Sequence, residues 1–339
     1  MIHSITANSV SEALSSALRY MQHAGVEESS RNGSVLVAPT PVCTTYRTPT
    51  NRVLFSPMRN ANPFFHLMEA LWMLSGRNDL AWPMFFNKRF KEYSDDGLSI
   101  HGAYGDRWRN WFGIDQLKAI VELLRRDANS RRAVLQMWSA ESDLLKNGKD
   151  VPCNTHIYFD LRQGKLNMTV CCRSNDLWWG AYGANVVHFS MLQEYLAAWL
   201  MVPIGEYRQF SNNFHLYTDV VRRSDLINLA VDVDGHDYYR GEVNDPFVAA
   251  IAIQTTGVPM SLWDTDLHRF MSDPAGDTLY HHDFFNNVAA PMYMAWYDRK
   301  NKLNSGLLSA QAISAPDWRV ACVEWINRAE KKKESSNNE

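Results

Sequence analysis

The sequence predicts an α/β protein of the α+β type, with helices flanking a sheet and a helical C-terminal elaboration. Three observations support this fold class. Two extended apolar stretches, His156 to Leu161 and Leu166 to Cys172, are joined by Gln163-Gly164, a pair typical of a tight hairpin turn. Amphipathic segments precede the hairpin. A long apolar segment, Asn185 to Leu200, follows it and predicts a central, buried helix.

The other elements follow from the spacing of apolar residues and from local stop signals. Earlier helices are predicted at Ser9 to His23, Asn62 to Gly76 and Ile114 to Asp127. Shorter extended runs predict strands at Val35 to Pro41, Arg52 to Phe55, Ala133 to Trp138 and Phe214 to Val220. A last helix, Asp317 to Glu330, should dock its apolar stripe on the body.

The domain organisation is predicted to be simple. The 339 residues suit one large domain, and no linker-like change of composition divides them. We expect a core over residues 9–220, an elaboration over 221–330 and a polar, frayed tail over 331–339.

Charge and cysteine content exclude several classes of protein. The net charge of −3 argues against binding of a nucleic-acid polymer, which requires a concentrated basic surface. No secretory signal is visible, and no apolar run has membrane-spanning length. The five cysteines show neither CxxC spacing nor a Cys/His quartet, so we expect reduced thiols, no metal and a cytoplasmic protein.

Cys153, in the step Val151-Pro152-Cys153-Asn154, is the strongest candidate for a nucleophile. A lone cysteine is more often a small buried hydrophobic residue, and that alternative stays open. Attack requires the thiolate, so a cation or several hydrogen-bond donors must lower the pKa of the thiol. Arg173, one hairpin away, can supply that charge if the two strands pair.

Several arginines are candidates for binding an anion such as phosphate, because a guanidinium donates paired charge-assisted hydrogen bonds. They are Arg31, the adjacent pair Arg131 and Arg132, and Arg173. Adjacent arginines on a strand point apart and are usually a solvated surface pair, unless the segment ends a strand or reaches a partner chain. Each arginine alone is a weak signal.

Five more positions combine a polar group with apolar surroundings. The amide of Asn185 is explained by helix capping or, alternatively, by recognition of the carbonyl and ring NH of uracil. Asp176 and Glu69 are carboxylates among apolar or aromatic neighbours, which fits either proton transfer or structural ion pairs. His215 and Tyr217 alternate on one predicted strand face, either as packing residues or as a site for a sugar hydroxyl.

Taken in order, these motifs resemble the thymidylate synthase family. The downstream part of the resemblance rests on Cys153, Arg173-Ser174-Asn175-Asp176, Gly180, Asn185 and His215-Leu216-Tyr217. The upstream part rests on Glu69 in Met68-Glu69-Ala70-Leu71-Trp72, on Tyr104-Gly105 with Trp108 and Trp111, and on Ser130-Arg131-Arg132. The resemblance extends over residues 31–217, more than half of the chain, and six motifs stand in the family's order.

The resemblance implies a thymidylate-synthase-like mixed sheet and an enzyme that joins a pyrimidine deoxynucleotide to the co-substrate 5,10-methylenetetrahydrofolate. Cys153 would add to C6 of the pyrimidine and make C5 nucleophilic. Glu69 would organise water for proton transfers, Tyr104 would belong to the catalytic group, and Asn185 would orient the base.

The same resemblance implies a homodimer with shared phosphate sites. Arg31, Arg173 and Ser174 would bind the phosphate from within one subunit, while Arg131 and Arg132 would reach it from the partner. His215 and Tyr217 would hold the deoxyribose 3′-hydroxyl. Asp176, Trp108 and Trp111 would line the folate site, with Asp176 and Trp108 facing the pterin.

Three departures from the family pattern bear on the product. The usual Pro-Cys-His motif is Pro-Cys-Asn here, and a histidine follows only at His156. The step before the base-reading residue, Tyr182-Gly183-Ala184-Asn185, is one residue longer, so Ala184 is the alternative to Asn185. The chain ends in a charged tail, whereas synthases have a short apolar terminus that closes over the folate. Closure that excludes water favours a methyl product, and positioned water favours a hydroxymethyl product.

The sequence therefore favours the phage pyrimidine hydroxymethylase branch of the family, forming 5-hydroxymethyl-dUMP from dUMP in the cytosol of a bacterium or a phage-infected host. Reductive methylation of dUMP by a thymidylate synthase is the main alternative, and hydroxymethylation of dCMP is another. A non-catalytic nucleotide- or RNA-binding protein on the same fold is a different class. The intact Cys153, Arg173 and Asp176 argue against it.

Overall fold

A mixed sheet organises the chain. The computed structural model describes residues 1–240, 258–276, 279–303 and 305–337. The strands in these ranges are β1 (His3–Ala7), β2 (Val26–Ser30), β3 (Gly33–Val37), β4 (Val42–Tyr46), β5 (Val134–Gln136), β6 (Asn154–Arg162), β7 (Lys165–Asp176) and β8 (Ile204–Tyr217). Their order is β1-β4-β8-β7-β6-β5, and β3, itself paired with β2, joins the far end of β8. The pairs β1/β4 and β7/β8 are parallel.

Helices surround this sheet and form the C-terminal region. Those described are α1 (Val10–Ala24), α2 (Pro63–Leu74), α3 (Ala81–Phe86), α4 (Tyr104–Arg109), α5 (Gln116–Arg126), α6 (Ala140–Asp143), α7 (Asn185–Leu200), α8 (Leu226–Gly235), α9 (Met260–Ser272), α10 (Ala290–Lys300), α11 (Gly306–Gln311) and α12 (Pro316–Asn337). A 3₁₀ helix spans Lys88–Tyr93, and a π-helical turn spans Leu177–Ala184. None of the described helices is long and apolar enough to cross a membrane.

The strongest sequence signals give the elements they predict. The side chain of Ser9 caps α1 by accepting a hydrogen bond from the backbone N–H of Glu12. The side chain of Asn62 caps α2, with Pro63 in its first turn, where the missing N–H costs no hydrogen bond. α7 spans the predicted range, is buried on most of its surface and packs against α2, β7 and β8.

The β6–β7 hairpin and the parallel β7–β8 pair bring the candidate residues to one region. Gln163 and Gly164 have φ angles of 53° and 70°, the left-handed conformation that a two-residue hairpin turn requires. The register then sets Asn154 opposite Cys172, and Asp176 beside His215 on β8. Motifs far apart in sequence therefore lie on adjacent strands.

Two strand predictions are wrong in part. Arg52 to Phe55 is buried but forms no strand, because Arg52 turns inward to an ion pair with Glu194 at 2.7 Å. The strand expected at Phe214 to Val220 is the last part of β8, which begins ten residues earlier at Ile204. Polar residues on the less buried face of β8 hide this strand from an apolar pattern.

The C-terminal region differs from the prediction at its end. α12 continues to Asn337, so the expected frayed tail is helical over 331–337, while residues 338–339 lie outside the described chain. Aromatic rings packed at tilted angles join this region to α2. The rings of Trp296 and Trp325 have centroids 5.7 Å apart, and Phe64 of α2 lies 5.7 Å from Trp296. The C-terminal region therefore packs on the helices of the sheet-containing part.

The two faces of the sheet differ in burial. One face lies under α1 and α7 and forms the apolar core. The other, which we call the open face, carries alternate side chains that are only partly buried, among them Cys43, Thr45, Cys171, Arg208 and Phe210. No described helix of the same chain packs over it in the way α7 covers the first face.

Candidate active site

Cys153 lies at the end of the loop that leads into β6, beside the start of the β6–β7 ladder. The backbone N–H of Arg173 donates to the carbonyl of Cys153 at 2.9 Å. The guanidinium of Arg173 donates to the carbonyls of Pro152 at 2.9 Å and Val151 at 3.0 Å. The predicted pairing of the two strands is therefore present, and Arg173 anchors the loop that carries the thiol.

The charge of Arg173 acts on the thiol in the predicted direction but does not dominate. Burial raises the pKa of Cys153 above its usual value, Arg173 lowers it, and the carboxylates of Asp150 and Asp176 raise it further. The resting residue is thus a thiol at neutral pH. Formation of the thiolate needs a further positive charge or a proton acceptor near the sulfur.

Tyr104 lies beside this loop, as the resemblance implies. Its hydroxyl oxygen accepts a hydrogen bond from the backbone N–H of Asn154 at 3.3 Å. Its ring stacks on Phe189 of α7 with centroids 5.8 Å apart. Burial and the nearby Cys153 raise the pKa of Tyr104. Its hydroxyl therefore stays protonated and can donate a hydrogen bond toward the loop that carries Cys153.

Asn154 stands where the family motif has histidine, and its side-chain amide binds backbone carbonyls of the β6–β7 pair. The β6–β7 register shifts between Asn154 and His156, and the Asn154 amide donates to the carbonyls of Cys171 at 2.8 Å and His156 at 3.3 Å. These carbonyls belong to the bulge. His156 packs on Tyr158, with ring centroids 4.7 Å apart, and pairs with Cys171 on the open face. It does not substitute for the missing histidine.

Asp176 ends β7 and caps the π-helical turn. Its Oδ1 accepts from the backbone N–H of Trp179, while its buried Oδ2 has no hydrogen-bond partner among the described residues. Burial raises its pKa to about 6, against the lowering effects of these backbone hydrogen bonds and of Arg59. Arg59, which sequence reasoning missed, donates to the carbonyl of Trp178 at 2.7 Å.

Asn185 belongs to a buried amide network. Its Nδ2 donates to Oδ1 of Asn175 at 3.1 Å, and Nδ2 of Asn175 donates to the hydroxyl of Ser211 at 3.0 Å. Gly180 makes room, because a methyl group there would lie 2.7 Å from Oδ1 of Asn175. The turn over Leu177–Ala184, which is kinked at Tyr182 and Gly183, leads directly into α7 at Asn185, whose side-chain amide can form hydrogen bonds, whereas the methyl group of Ala184 cannot.

Glu69 meets a partner that the sequence did not reveal. Nε2 of His188, on α7, lies 2.9 Å from Oε2 of Glu69, at angles outside hydrogen-bond geometry. Both side chains are buried, with 2% and 5% of their residue surfaces exposed. His188 follows Asn185 by one helical turn, a spacing that could have indicated a shared face.

His215 and Tyr217 occupy one face of β8 next to Asp176. Their rings meet edge to face with centroids 5.3 Å apart, and Nδ1 of His215 lies 2.8 Å from Oδ1 of Asn213. Tyr217 lines a cavity of about 670 Å³ together with Arg31, Tyr93, Lys149 and Trp179. The lining of this cavity does not include Cys153 itself.

The other candidates lie at different depths. Ser174 is half-buried next to Arg173, and Trp111 is 37% exposed, its ring 3.8 Å from the guanidinium of Arg107. Trp108 has no exposed surface, so a folate contact at its ring would require the side chain to be uncovered.

Arg131 and Arg132 are exposed and lie before β5 at the sheet edge. Arg131 lines a second cavity, of about 330 Å³, with Tyr158 and Arg162. Nothing in the described chain brings either guanidinium to Cys153.

The chain belongs to the thymidylate synthase family, whose model matches residues 14–228. Among its relatives, the deoxyuridylate hydroxymethyltransferase of Pseudomonas phage M6 is 44% identical over 333 residues, covering 96% of this chain and 93% of the relative. The protein of the same name from Bacillus phage SP01 is 39% identical over 190 residues, covering 53% of this chain and 50% of the relative. A putative thymidylate synthase from Methanothermobacter thermautotrophicus is 26% identical and covers 64% of this chain and 94% of the relative.

Proposed function

We propose that this protein is a dUMP hydroxymethylase that forms 5-hydroxymethyl-dUMP with 5,10-methylenetetrahydrofolate as one-carbon donor. The observation that carries the proposal is the similarity to the phage M6 deoxyuridylate hydroxymethyltransferase, which extends over 96% of the chain. It includes the C-terminal region beyond residue 228, which the family model does not match. The arrangement of Cys153, Tyr104 and Asn185 supports the same chemistry.

The reaction begins at the nucleotide ring. The sulfur of Cys153 bonds to C6 of uracil, and the electrons displaced from the C5–C6 bond make C5 nucleophilic. C5 bonds to the one-carbon unit of the co-substrate, then loses its proton as the folate nitrogen leaves, which creates an exocyclic methylene. Water adds to that carbon, and departure of the Cys153 thiolate restores the C5–C6 double bond. No reductant is consumed.

Asn185 supports uracil as the base. One N–H of its amide is used by Asn175, which leaves the second N–H and the Oδ1 lone pairs for a ligand. A carbonyl and ring N–H of uracil match that pair of groups. Cytosine presents the same two functions in the reverse order, an amino donor and an unprotonated nitrogen acceptor, which an amide held in one orientation by Asn175 does not match. The network therefore favours dUMP over dCMP.

The residues present fit a folate. A pterin is flat and carries N–H donors. The exposed ring of Trp111 and the unpartnered Oδ2 of Asp176 provide a stacking surface and an acceptor. Trp179, which is 49% exposed and lines the large cavity, offers a second ring.

The phosphate and sugar contacts are part of the same proposal. Arg31 and Tyr217 share one cavity, so phosphate and 3′-hydroxyl contacts are within one cleft. Arg173 has guanidinium N–H groups left after its two loop contacts, and Ser174 lies next to it. His215 supports the sugar site through its contact with Tyr217.

We propose a homodimer formed through the open face. That face presents partly buried Cys43, Cys171 and Phe210, and no helix in the described part of the chain covers it. An apolar sheet face is usually covered by another layer or by a partner. Arg131 and Arg132 are exposed at its edge, where a partner's phosphate site can receive them. The free state of all five cysteines suits a reducing cytosol, where we place the enzyme.

Product analysis tests this function. Purified protein is incubated with methylenetetrahydrofolate and either dUMP or dCMP, and the nucleotide and folate products are identified by mass. We expect 5-hydroxymethyl-dUMP and tetrahydrofolate from dUMP. A methylated nucleotide with dihydrofolate would identify a thymidylate synthase instead. No release of the C5 hydrogen from either nucleotide would identify a non-catalytic protein.

A further inference from the structure

His188 is a buried histidine that the chemistry described so far does not use. Its Nε2 lies 2.9 Å from Oε2 of Glu69, and its Nδ1 has no hydrogen-bond partner within the described chain. Oε2 of Glu69 also lacks a hydrogen bond there. Buried polar atoms in a folded protein normally have partners, so this pair has spare capacity to bind a small polar molecule.

The Glu69–His188 pair lies on the side of α7 that carries Asn185. His188 is one turn of α7 beyond Asn185, which we assign to the base, and is therefore on the same side of the helix. The next residue, Phe189, stacks on Tyr104, whose hydroxyl contacts the loop of the nucleophile. Glu69 and Asp176 both lie within electrostatic range of Tyr93, which lines the large cavity.

The groups around the pair lie on α2 and in the loop that precedes it. His66, on α2, is partly buried, and its pKa is held well below the usual value by burial and by the charges of Arg59 and His188, so His66 is neutral. Arg59, in the loop, is a buried cation. Carboxylates and imidazoles are the side chains that most often act as general bases in enzymes, so the Glu69–His188 pair has the chemistry to accept a proton from a bound water.

We propose that His188 is a positioning residue for the hydration step. It holds the Glu69 carboxylate against the water that adds to the exocyclic methylene, and receives the proton of that water through Glu69. The water oxygen bonds to the methylene carbon, and the π electrons move into the ring. The proton passes to the Glu69–His188 pair and returns to the Cys153 sulfur when the C6–S bond breaks. This inference rests on the proposed function.

A purely structural ion pair is the competing explanation, and two readouts separate it from this role. Release of the C5 hydrogen reports the steps before hydration, and appearance of hydroxymethyl product reports hydration itself. A structural defect reduces both by the same factor. If His188 can no longer accept a proton, only formation of the hydroxymethyl product slows. The nucleotide with the exocyclic methylene, still bonded to Cys153, then accumulates.

The experiment compares wild-type protein with His188→Gln, which keeps an N–H near Glu69 but cannot accept a proton. His188→Asn serves the same purpose if the glutamine variant does not fold. His282→Gln is the matched control, because His282 is fully buried but lies in the C-terminal region, against Pro259. C5-labelled dUMP, methylenetetrahydrofolate and a small thiol such as 2-mercaptoethanol, which adds to an exocyclic methylene, are the reagents.

We expect His188→Gln to release one C5 hydrogen per site in a rapid first turnover, then to form hydroxymethyl product about 100-fold more slowly than wild type, the scale of general-base catalysis. The thiol adduct of the nucleotide should appear in this variant and not in the control. Equal reduction of both readouts, or unchanged product formation, would overturn the inference. A methyl product from the wild-type protein would instead refute the proposed function, so the two failures are distinguishable.

Discussion

At the scale of single residues, burial controls the reactivity of the site. The thiol of Cys153, the carboxyl of Asp176 and the hydroxyl of Tyr104 all have pKa values raised chiefly by removal from water. At neutral pH the thiol and the phenol are therefore protonated in the resting protein, whereas Asp176 is mostly a carboxylate. The anionic phosphate of dUMP would itself raise the pKa of the thiol, so attack requires an additional positive charge or a proton acceptor near the sulfur.

Cys153→Ser should abolish turnover while sparing nucleotide binding. A serine hydroxyl is a far weaker nucleophile in the absence of a base, so we expect release of the C5 hydrogen to fall by at least about 1,000-fold. The dissociation constant of dUMP, measured by calorimetry, should change little because the phosphate and base contacts remain. Cys322→Ala, at a buried thiol of α12, is the control and should keep its activity.

The raised pKa of Asp176 predicts a pH dependence. Because burial holds this pKa at about 6, above the usual 3.8, the carboxylate is lost as the pH falls through about 6. A protonated carboxyl accepts fewer hydrogen bonds from a pterin. We expect kcat/KM for the folate, at saturating dUMP, to fall about tenfold per pH unit below 6.

The phosphate of dUMP also titrates near pH 6, so dUMP binding is measured separately at each pH. Asp176→Asn provides the matched comparison, since it keeps an acceptor for the Trp179 N–H but cannot titrate. In this variant the residual kcat/KM for the folate should no longer fall as the pH drops below 6. If it falls as in the wild type, the titration belongs to another group.

At the scale of elements, two local irregularities coincide in sequence with departures from the family pattern. The β-bulge after Asn154 gives its buried amide two backbone carbonyls to bind, which a histidine could not satisfy in the same way. The π-helical turn at Leu177–Ala184 accommodates one additional residue before α7. Both irregularities lie next to the candidate active site.

Gly180→Ala tests the amide network that the π-helical turn supports. The added methyl group would lie 2.7 Å from Oδ1 of Asn175 and 3.3 Å from Nδ2 of Asn185, so the two amides must separate. Loss of one oriented hydrogen bond to the base, worth about 1.4 kcal/mol, should raise KM for dUMP about tenfold and leave KM for the folate near wild type.

Gly235→Ala is the matched control, because a methyl group there meets nothing within 4 Å. It should leave both KM values unchanged. If Gly180→Ala also left KM for dUMP unchanged, Asn185 would not be the residue that recognises the base.

At the scale of the whole molecule, the proposed dimer makes each active site depend on two chains. We expect Arg132→Ala and Cys153→Ser homodimers to be inactive for different reasons. A mixed dimer has one site with an intact Cys153 and with intact arginines from its partner. It should therefore recover about half of the wild-type activity.

The measurement is release of the C5 hydrogen by differently tagged chains that are co-expressed and purified as the mixed species. Mixing Cys153→Ser with Arg173→Ala is the control. If Arg173 acts within the subunit that carries Cys153, each site in this mixture contains one defect and activity stays low. Equal recovery in both mixtures would refute the sharing of Arg132.

The sequence by itself determined the family, the α/β class and α7, and it singled out Cys153, Arg173, Asp176 and Asn185 as candidates, because these depend on local periodicity and on motifs in a set order. Only the tertiary structure decided which groups face them. Arg59 and His188 lie far from their partners in sequence. The contact of His188 with Glu69 exists only after α2 packs on α7, and Arg59 reaches the carbonyl of Trp178 only when the loop before α2 lies against the turn at Leu177–Ala184. The full length of β8, the helical end of α12 and the burial of Trp108 likewise depend on neighbours that no local pattern reports, since burial and pairing are properties of the folded chain.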